Sequence, residues 1–289
     1  METMHSSWEQ QAAAGQRFRF GDNWQRFLSQ ISDNTIEQAQ ASLSTRLGKE
    51  SLAGSSFLDA GCGSGLFSLA ARRLGAQVHS FDYDPHSVAC TQQLKARHAE
   101  NDTQWTIERG SLLDTTYLNS IRGGAGFDCV YSWGVLHHTG AMWQALSNLL
   151  PLVKPEGLLY IALYNDQGAV SRGWTLIKKI YCRLPVALQP LLSLPIFLAL
   201  WSTRLLVDGL QGHPLRRILN YSDHKRGMRI WRDHIDWIGG YPFEVARVDQ
   251  VFNFLRERGF SLQRLHCVGV GMGCNEFVFR RAPSAILCS

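Results

Sequence analysis

The sequence predicts an α/β protein built on a mostly parallel sheet with helices on both faces. Short apolar runs of strand character alternate with helical periodicities between residues 50 and 165, the rhythm of parallel strands joined by crossover helices. A glycine loop, "AGCGSG", lies between the first such run and the first such helix. A carboxylate, Asp82, closes the second run.

Taken in order, residues 22–48 read as one helix, with Trp24, Phe27, Leu28, Ile31, Ile36, Ala39 and Leu43 at roughly helical spacing and Gly48 as its C-cap. Residues 56–60, "SFLDA", form a short buried strand. From Leu66, "LFSLAARRLGA" is helical and Gly75 closes it. "QVHSFDYD" is the second strand. Pro85 opens the helix "PHSVACTQQLKARHA", because a fixed φ and a missing N–H suit a first helical turn. The third, fourth and fifth strands are "TQWTIERGSL", "FDCVYSWGVLHH" and "GLLYIALYN". Helix-like "MWQALSNLLPLV" lies between the last two, and "VKPEG" supplies a turn.

Beyond residue 165 the rhythm breaks. Residues 166–240 hold basic and aromatic segments without strand alternation, the pattern of an insertion over the sheet. "VDQVFNFLRERGF" is an amphipathic helix, and "SLQRLHCVGVGMGCNEFVFRR" reads as two strands around a glycine turn, an antiparallel pair closing the sheet. "GVGMG" copies the spelling of the first glycine loop but precedes a strand pattern, so it reads as a hairpin turn. The expected division is an N-terminal helical cap (1–50), a cofactor-binding core (51–165), a helical lid (166–245) and a closing helix with strands (246–289). There are no internal repeats.

With 289 residues, 45% hydrophobic and 18% charged, the chain has a globular composition. A net charge of +5 is mildly basic and falls short of a nucleic-acid signature, so no nucleic-acid partner is expected. The seven cysteines form no C-x-x-C pair, which argues against a disulfide framework or a metal site and for a reducing, cytoplasmic setting. The first twenty residues lack the apolar core of a secretory signal.

Two nucleotide classes compete for the loop. The dinucleotide fingerprint is G-x-G-x-x-G, with a pyrophosphate on the helix N-terminus. Here Gly61, Gly63 and Gly65 spell G-x-G-x-G around Cys62, with Asp59 two residues ahead. A carboxylate beside the loop repels a pyrophosphate and suits an ammonium group. Asp82 can accept hydrogen bonds from both ribose hydroxyls, and Tyr83 can flank an adenine. A ligand with a ribose and a cationic tail is therefore expected, and S-adenosylmethionine fits.

"FLDAGCGSGLFSLA", "VHSFDYDPHSV", "FDCVYSWGVLHHT" and "LVKPEGLLYIALYN" together resemble the successive motifs of class I S-adenosylmethionine-dependent methyltransferases. More narrowly, the chain is similar to the polyprenyl-hydroxyphenol O-methyltransferase group of ubiquinone biosynthesis, with "VLHHT" in the place of that group's L-E-H-V segment. The match covers about residues 55–165 and thins beyond residue 170. It implies the Rossmann-like seven-stranded methyltransferase sheet, mostly parallel with an antiparallel strand at its C-terminal end. It assigns Asp59, Gly61, Gly63 and Gly65 to the methionine portion, Asp82 to the ribose, Gly110, Ser111 and Leu112 to the adenine, and Ser132 to the neighbourhood of the sulfonium.

Methyl transfer from a sulfonium is an in-line displacement, for which alignment can supply on the order of 7–11 kcal/mol. A hydroxyl acceptor also needs a base, and His137 and His138 stand at the end of the fourth strand. His138 aligns with the family histidine. Trp133, His234, Trp237 and Tyr241 are candidates for the acceptor pocket; "RIWRDHIDWIGGYPFEVA" reads either as a pocket lid or as a surface loop held by its own ion pairs. Near the N-terminus "FRFGDNWQRF" reads as a cap over the cofactor or as a docking helix.

The expected activity is methyl transfer to a small-molecule nucleophile, a hydroxyl first and a thiol second. A nicotinamide-dependent oxidoreductase on the same sheet and a catalytically silent S-adenosylmethionine-binding module are the rivals. The tetrapeptide of amino-N methylases is absent after the fourth strand, where "SWGV" stands.

Residues 184–203, "LPVALQPLLSLPIFLALWST", carry no charge, with Lys178, Lys179 and Arg183 before them and Arg204 after. Pro185, Pro190 and Pro195 disfavour a continuous transmembrane span. A lid with a buried apolar face and an interfacial element touching lipid both fit, the second aided by basic residues at 216, 217, 225, 226, 229 and 232.

Overall fold

The computed structural model describes residues 7–124, 126–210, 230–269 and 273–283. Seven strands form one sheet: β1 (Ser56–Ala60), β2 (Gln77–Asp82), β3 (Trp105–Arg109), β4 (Phe127–Trp133), β5 (Val153–Tyr164), β6 (Phe260–His266) and β7 (Cys274–Arg281). Their order is β3-β2-β1-β4-β5-β7-β6. The first five run parallel, and β7 lies antiparallel between β5 and β6. The antiparallel closing pair expected from the C-terminal sequence is thus present, with the last strand inside the sheet and β6 on its edge.

Strand residues alternate between two cores, as a period of two requires. Leu58, Val130, Ile161, Phe277 and Phe279 face helices α6 (Thr115–Ile121), α7 (Met142–Leu149) and α11 (Val248–Arg256), meeting Leu118, Leu146 and Leu255. Phe57, Val78, Tyr131, Tyr160 and Val278 face α3 (Asp33–Leu47), α4 (Leu66–Arg73) and α5 (Pro85–His98), meeting Leu43, Leu69 and Leu94. Both faces are covered, so the central strands read as near-continuous apolar runs.

Several boundaries differ from the sequence expectation. The helix expected over 22–48 is two: α2 (Phe20–Phe27), a 3₁₀ turn Leu28–Gln30, and then α3. Ile31 and Ser32 are extended, and the Ser32 hydroxyl accepts the Thr35 N–H at 3.3 Å as a new N-cap. Apolar residues continue on one side of both helices, so periodicity alone reads across the break. Gly48 ends α3 at φ 67°, as expected. The fourth strand stops at Trp133, because Gly134 turns the chain at φ 76° into a 3₁₀ turn, Leu136–His138. "VKPEG" belongs to β5, where the register against β4 shifts between Phe127 and Cys129.

Residues 166–240 are helical where described, as α8 (Ala169–Arg183), α9 (Gln189–Leu210) and α10 (Ile230–Gly239). The basic residues at 216, 217, 225, 226 and 229, the side chain of Arg232 and the centre of "GVGMG" lie outside the described residues. At the other end, α1 (Trp8–Ala13) and α2 lead into the core.

Gly61 has φ 93°, and a Cβ there would stand 2.4 Å from Val135, whereas Gly54 has φ 73° with open space around it. Both would strain in the left-handed region, but only one would also overpack. Gly61→Ala is expected to cost about 2–4 kcal/mol in chemical denaturation and Gly54→Ala about 1 kcal/mol. Equal losses would remove the close approach as the reason for a glycine at 61.

Candidate functional site

The parallel strands bring their carboxyl ends to one edge of the sheet, and a cavity of about 1580 Å³ opens there. Single-ligand pockets run about 300–1,000 Å³, so this one has room for two molecules side by side. Of the residues singled out from the sequence, Gly61, Gly63, Asp82, Tyr83, Gly110, Ser111, Leu112, Trp133, His138, His234 and Trp237 line it.

The nucleotide end is built by the loop after β1. Phe81 C=O accepts the N–H groups of Gly61 (2.8 Å) and Cys62 (3.0 Å), folding the loop back over β2. One oxygen of Asp82 accepts the Gly63 N–H and the other the Asp84 N–H, both at 2.9 Å. Each oxygen keeps a further lone pair for a ligand. Burial pushes the Asp82 carboxyl up to about 6.

Asp59 lies beneath the loop, outside the cavity lining, and accepts the Ser68 hydroxyl. Behind it, Ser68 and Ser80 share a hydrogen bond of 2.8 Å, and Trp105 Nε1 donates to Ser80 at 2.8 Å. Burial pushes Asp59 up to about 7, with the charge of Asp82 acting the same way, and the hydroxyl and backbone N–H of Ser68 offset only part of it. Two carboxylates so disposed fit S-adenosylmethionine: a nearby ammonium would favour their ionised forms and the open lone pairs of Asp82 could hold ribose hydroxyls, whereas a pyrophosphate would meet like charge.

Cys62, Gly65, Ser132, His137 and Tyr241 also stand behind the wall. The Ser132 hydroxyl donates to Ala60 C=O at 2.9 Å and ties β4 to β1. Gly65, at φ 79°, backs onto Thr91, whose hydroxyl points at the sulfur of Cys62 at 3.2 Å. Tyr241 meets its neighbours through its backbone, its C=O accepting the Phe18 N–H at 2.8 Å. Ser111 does not cap α6: its hydroxyl accepts the Leu113 N–H at 3.1 Å, while Asp114 caps the helix by accepting the Tyr117 N–H at 3.0 Å.

At the other end, the 3₁₀ turn after β4 presents His138 to the cavity. Its Nδ1 lies 2.7 Å from Pro242 C=O. A carbonyl only accepts, so the proton sits on Nδ1 and Nε2 carries a lone pair. Burial pushes this imidazole down to about 3, with the charges of Lys178 and Arg17 acting in the same direction. His137 is fully buried, accepts the Tyr164 N–H on Nδ1 at 3.3 Å and packs on the Tyr164 ring at 3.9 Å. It stands behind the wall, outside the cavity lining.

Several residues of this site carry no sequence signature. Arg17 donates to His138 C=O (2.8 Å), Thr139 C=O (3.2 Å) and Gln11 (2.9 Å), and its guanidinium lies 5.2 Å from the Tyr83 ring centre. It thereby spans both ends of the cavity. Phe18, Phe20 and Trp24 line the cavity beside it, so "FRFGDNWQRF" forms part of the roof. Lys178, counted as a cationic flank from the sequence, is fully buried. It donates to Trp237 C=O and lies 4.3 Å and 4.6 Å from the Trp237 and Phe243 ring centres. Burial brings it down to about 7. His234, within hydrogen-bond distance of Ser193 C=O at 2.9 Å, and Trp237 line the wall from α10.

Residues 58–159 match the family model described as a methyltransferase domain. Residues 58–159 thus carry a methyltransferase domain. That span runs from within β1 to within β5 and includes the glycine loop, Asp82 and His138. The chain is 32% identical over 122 residues to a ubiquinone biosynthesis O-methyltransferase of Methylobacterium sp. (strain 4-46), covering 41% of this chain and 45% of that protein. A protein of the same description from Xanthomonas euvesicatoria pv. vesicatoria is 31% identical over 158 residues, covering 55% of this chain and 60% of its own. The chain thus spans about half the length of these relatives. Among solved structures, a magnesium protoporphyrin IX methyltransferase from Synechocystis PCC 6803 shares the fold at 18% identity and a TM-score of 0.51, over 91% of this chain and 94% of that one.

Asp82 and Asp59 are both held above the ordinary 3.8. In the ligand-free protein their stabilising contribution is complete below about pH 4 and lost as pH rises through about 6 and about 7. Binding of a ligand whose ammonium or hydroxyl groups donate to these carboxylates runs the opposite way, because it favours their ionised forms. Adenosylhomocysteine is expected to bind about tenfold more tightly near pH 8 than near pH 5 by calorimetry, and Asp82→Asn to flatten most of that slope. A level profile in the wild type would exclude ionised Asp82 as a ligand partner.

Proposed function

We propose that this protein transfers the methyl group of S-adenosylmethionine to a hydroxyl of a small, flat, apolar-bodied acceptor. His138 carries the reading: a neutral imidazole, locked as the Nδ1–H tautomer by Pro242 C=O, at the end of β4 beside the nucleotide cradle. Gly61, Gly63, Asp82, Tyr83 and Leu112 would hold S-adenosylmethionine, which supplies an electrophilic methyl group. The described cavity lining includes Phe20, Trp133, Tyr164, Trp201 and Trp237, rings that favour a planar acceptor and exclude water. His138 Nε2 would accept the hydroxyl proton of the acceptor.

The low basicity of His138 narrows the acceptor. A base whose conjugate acid sits at about 3 takes a proton from an aliphatic alcohol very poorly. A phenolic hydroxyl, near 10, is a more accessible donor, and a thiol, near 8.5, follows as the second reading. Support for oxygen also comes from the O-methyltransferase relatives. Cysteine usage supports a cytoplasmic setting, and the uncharged apolar run at residues 184–203 between basic flanks supports peripheral membrane contact.

With labelled S-adenosylmethionine and a panel of phenols, catechols, thiols and sugars, transfer to a phenol or catechol is expected. His138→Ala should lower kcat on that acceptor by about 10²–10⁴-fold and leave adenosylhomocysteine affinity within about twofold. Unchanged turnover would remove the base role. Tight NADH binding without adenosylhomocysteine binding would support the oxidoreductase reading instead.

A further inference from the structure

His138 is held by two clamps, and neither belongs to the span 58–159 that carries the methyltransferase domain. Pro242 C=O fixes the imidazole at 2.7 Å. Arg17 fixes the backbone behind it. A three-residue 3₁₀ turn leaves its last carbonyls without partners of its own. Leu136–His138 is such a turn, flanked by Gly134 at φ 76° and Gly140 at φ 81°, with open space around the Cβ position of Gly134. Its partners come from far along the chain. Glu244 N–H donates to His137 C=O at 2.9 Å, and Arg17 donates to His138 C=O at 2.8 Å and to Thr139 C=O at 3.2 Å.

The chemistry of Arg17 is selective. Arg19, on the same segment, is exposed, whereas Arg17 is half-buried. A guanidinium in such a place ordinarily forks onto a carboxylate or phosphate. Among the described residues no carboxylate stands within ion-pair distance of this one; Asp82 and Asp84 act on it from farther off. Its two terminal nitrogens go to successive carbonyls of one turn, and Nε goes to the Gln11 side chain at 2.9 Å. The same planar group lies 5.2 Å from the Tyr83 ring centre, within cation–π range, at the nucleotide end. The segment around it is seated as well. Phe18 N–H donates to Tyr241 C=O at 2.8 Å, Gly21 N–H donates to Asp84 at 2.8 Å, and the Phe20 ring lies 4.8 Å from the imidazole of His138. One rigid side chain thus fixes the turn that carries His138 relative to Tyr83.

We propose that Arg17 is a positioning residue of the transfer site, gripping the turn behind His138 so that Nε2 is aimed at the acceptor. A displacement of about 1 Å in a reacting group can cost about 10²-fold in rate, so a clamp of this kind is worth keeping. The gain in rate rests on the methyl-transfer reading; the grip on the turn does not.

Arg17→Gln and Arg17→Lys in the full chain test it, the first also combined with His138→Ala. Arg17→Gln is expected to lower kcat on a phenol or catechol acceptor by about 10–100-fold. A lysine keeps the charge but cannot span two carbonyls with a fixed fork, so Arg17→Lys should recover no more than about threefold of that loss. Once His138 is alanine, Arg17→Gln should cost less than about twofold more, because the group it positions is gone. A further loss as large as in the wild-type background would place the role of Arg17 elsewhere, and full activity of Arg17→Lys would reduce it to its charge; either result overturns the proposal. A second readout needs no turnover. The Nδ1–H proton of His138, assigned in NMR spectra by its absence from His138→Ala, should exchange with solvent at least about tenfold faster in Arg17→Gln than in wild type. Equal exchange would also overturn the positioning role. Cooperative thermal unfolding shows that each variant is folded, and Arg17→Lys, read for the same proton, serves if Arg17→Gln is not. Should wild type methylate no acceptor, the methyl-transfer reading falls, and the imidazole proton alone decides whether Arg17 holds the turn.

Discussion

The arrangement depends on the carboxylate of Asp82 gripping the glycine loop. By taking the N–H groups of Gly63 and Asp84 on its two oxygens, it holds the β1–α4 connection and the start of α5 to one point at the end of β2. The grip is possible only because Gly61 and Gly65 adopt positive φ with Val135 and Thr91 packed where side chains would be. Two hydrogen bonds hold a carboxylate down in pKa, while burial pushes it up. Here burial wins, and Asp59 beneath the loop shows the same balance. The ligand-free site is thus short of positive charge at the nucleotide end.

The opposite end has the reverse problem. His137 and His138 are both pushed toward neutrality by burial, Lys178 sits within their field, and Arg17 presses on the His138 backbone. Cations are disfavoured there, which keeps the His138 lone pair available but makes it a weak base. Under the proposed function, such a site would gain most from an acceptor that gives up its proton readily. The separation of an electron-rich nucleotide end from a cation-averse acceptor end gives the cavity a direction.

Local pattern carried most of the sheet. The alternation of strands and helices, the glycine loop, Asp82, Pro85 and the antiparallel closing pair all express short-range rules, and the structure places them as read. What escaped is non-local. Arg17 acts through carbonyls more than a hundred residues away, and Tyr164 and Trp201 reach the cavity only once β5 and α9 are set against each other. Lys178 looked like a surface charge because its neighbours in sequence are charged; its neighbours in space are rings. The break at Ser32 escaped for a subtler reason, since apolar periodicity persists across a cap that only a hydrogen bond reveals.

The position of β7 has a consequence for synthesis. As the last of the described strands it pairs with β5 along seven registered positions, Leu158 through Tyr164, and separates β5 from β6. A nascent chain emerging from the ribosome can assemble β1 to β5 early, but it leaves one flank of β5 open until residues 274–281 arrive. During that interval a long apolar strand is exposed as an unpaired template for other chains. Removal of residues 274–281 would strip an interior strand and leave β5 and β6 unpaired along that side.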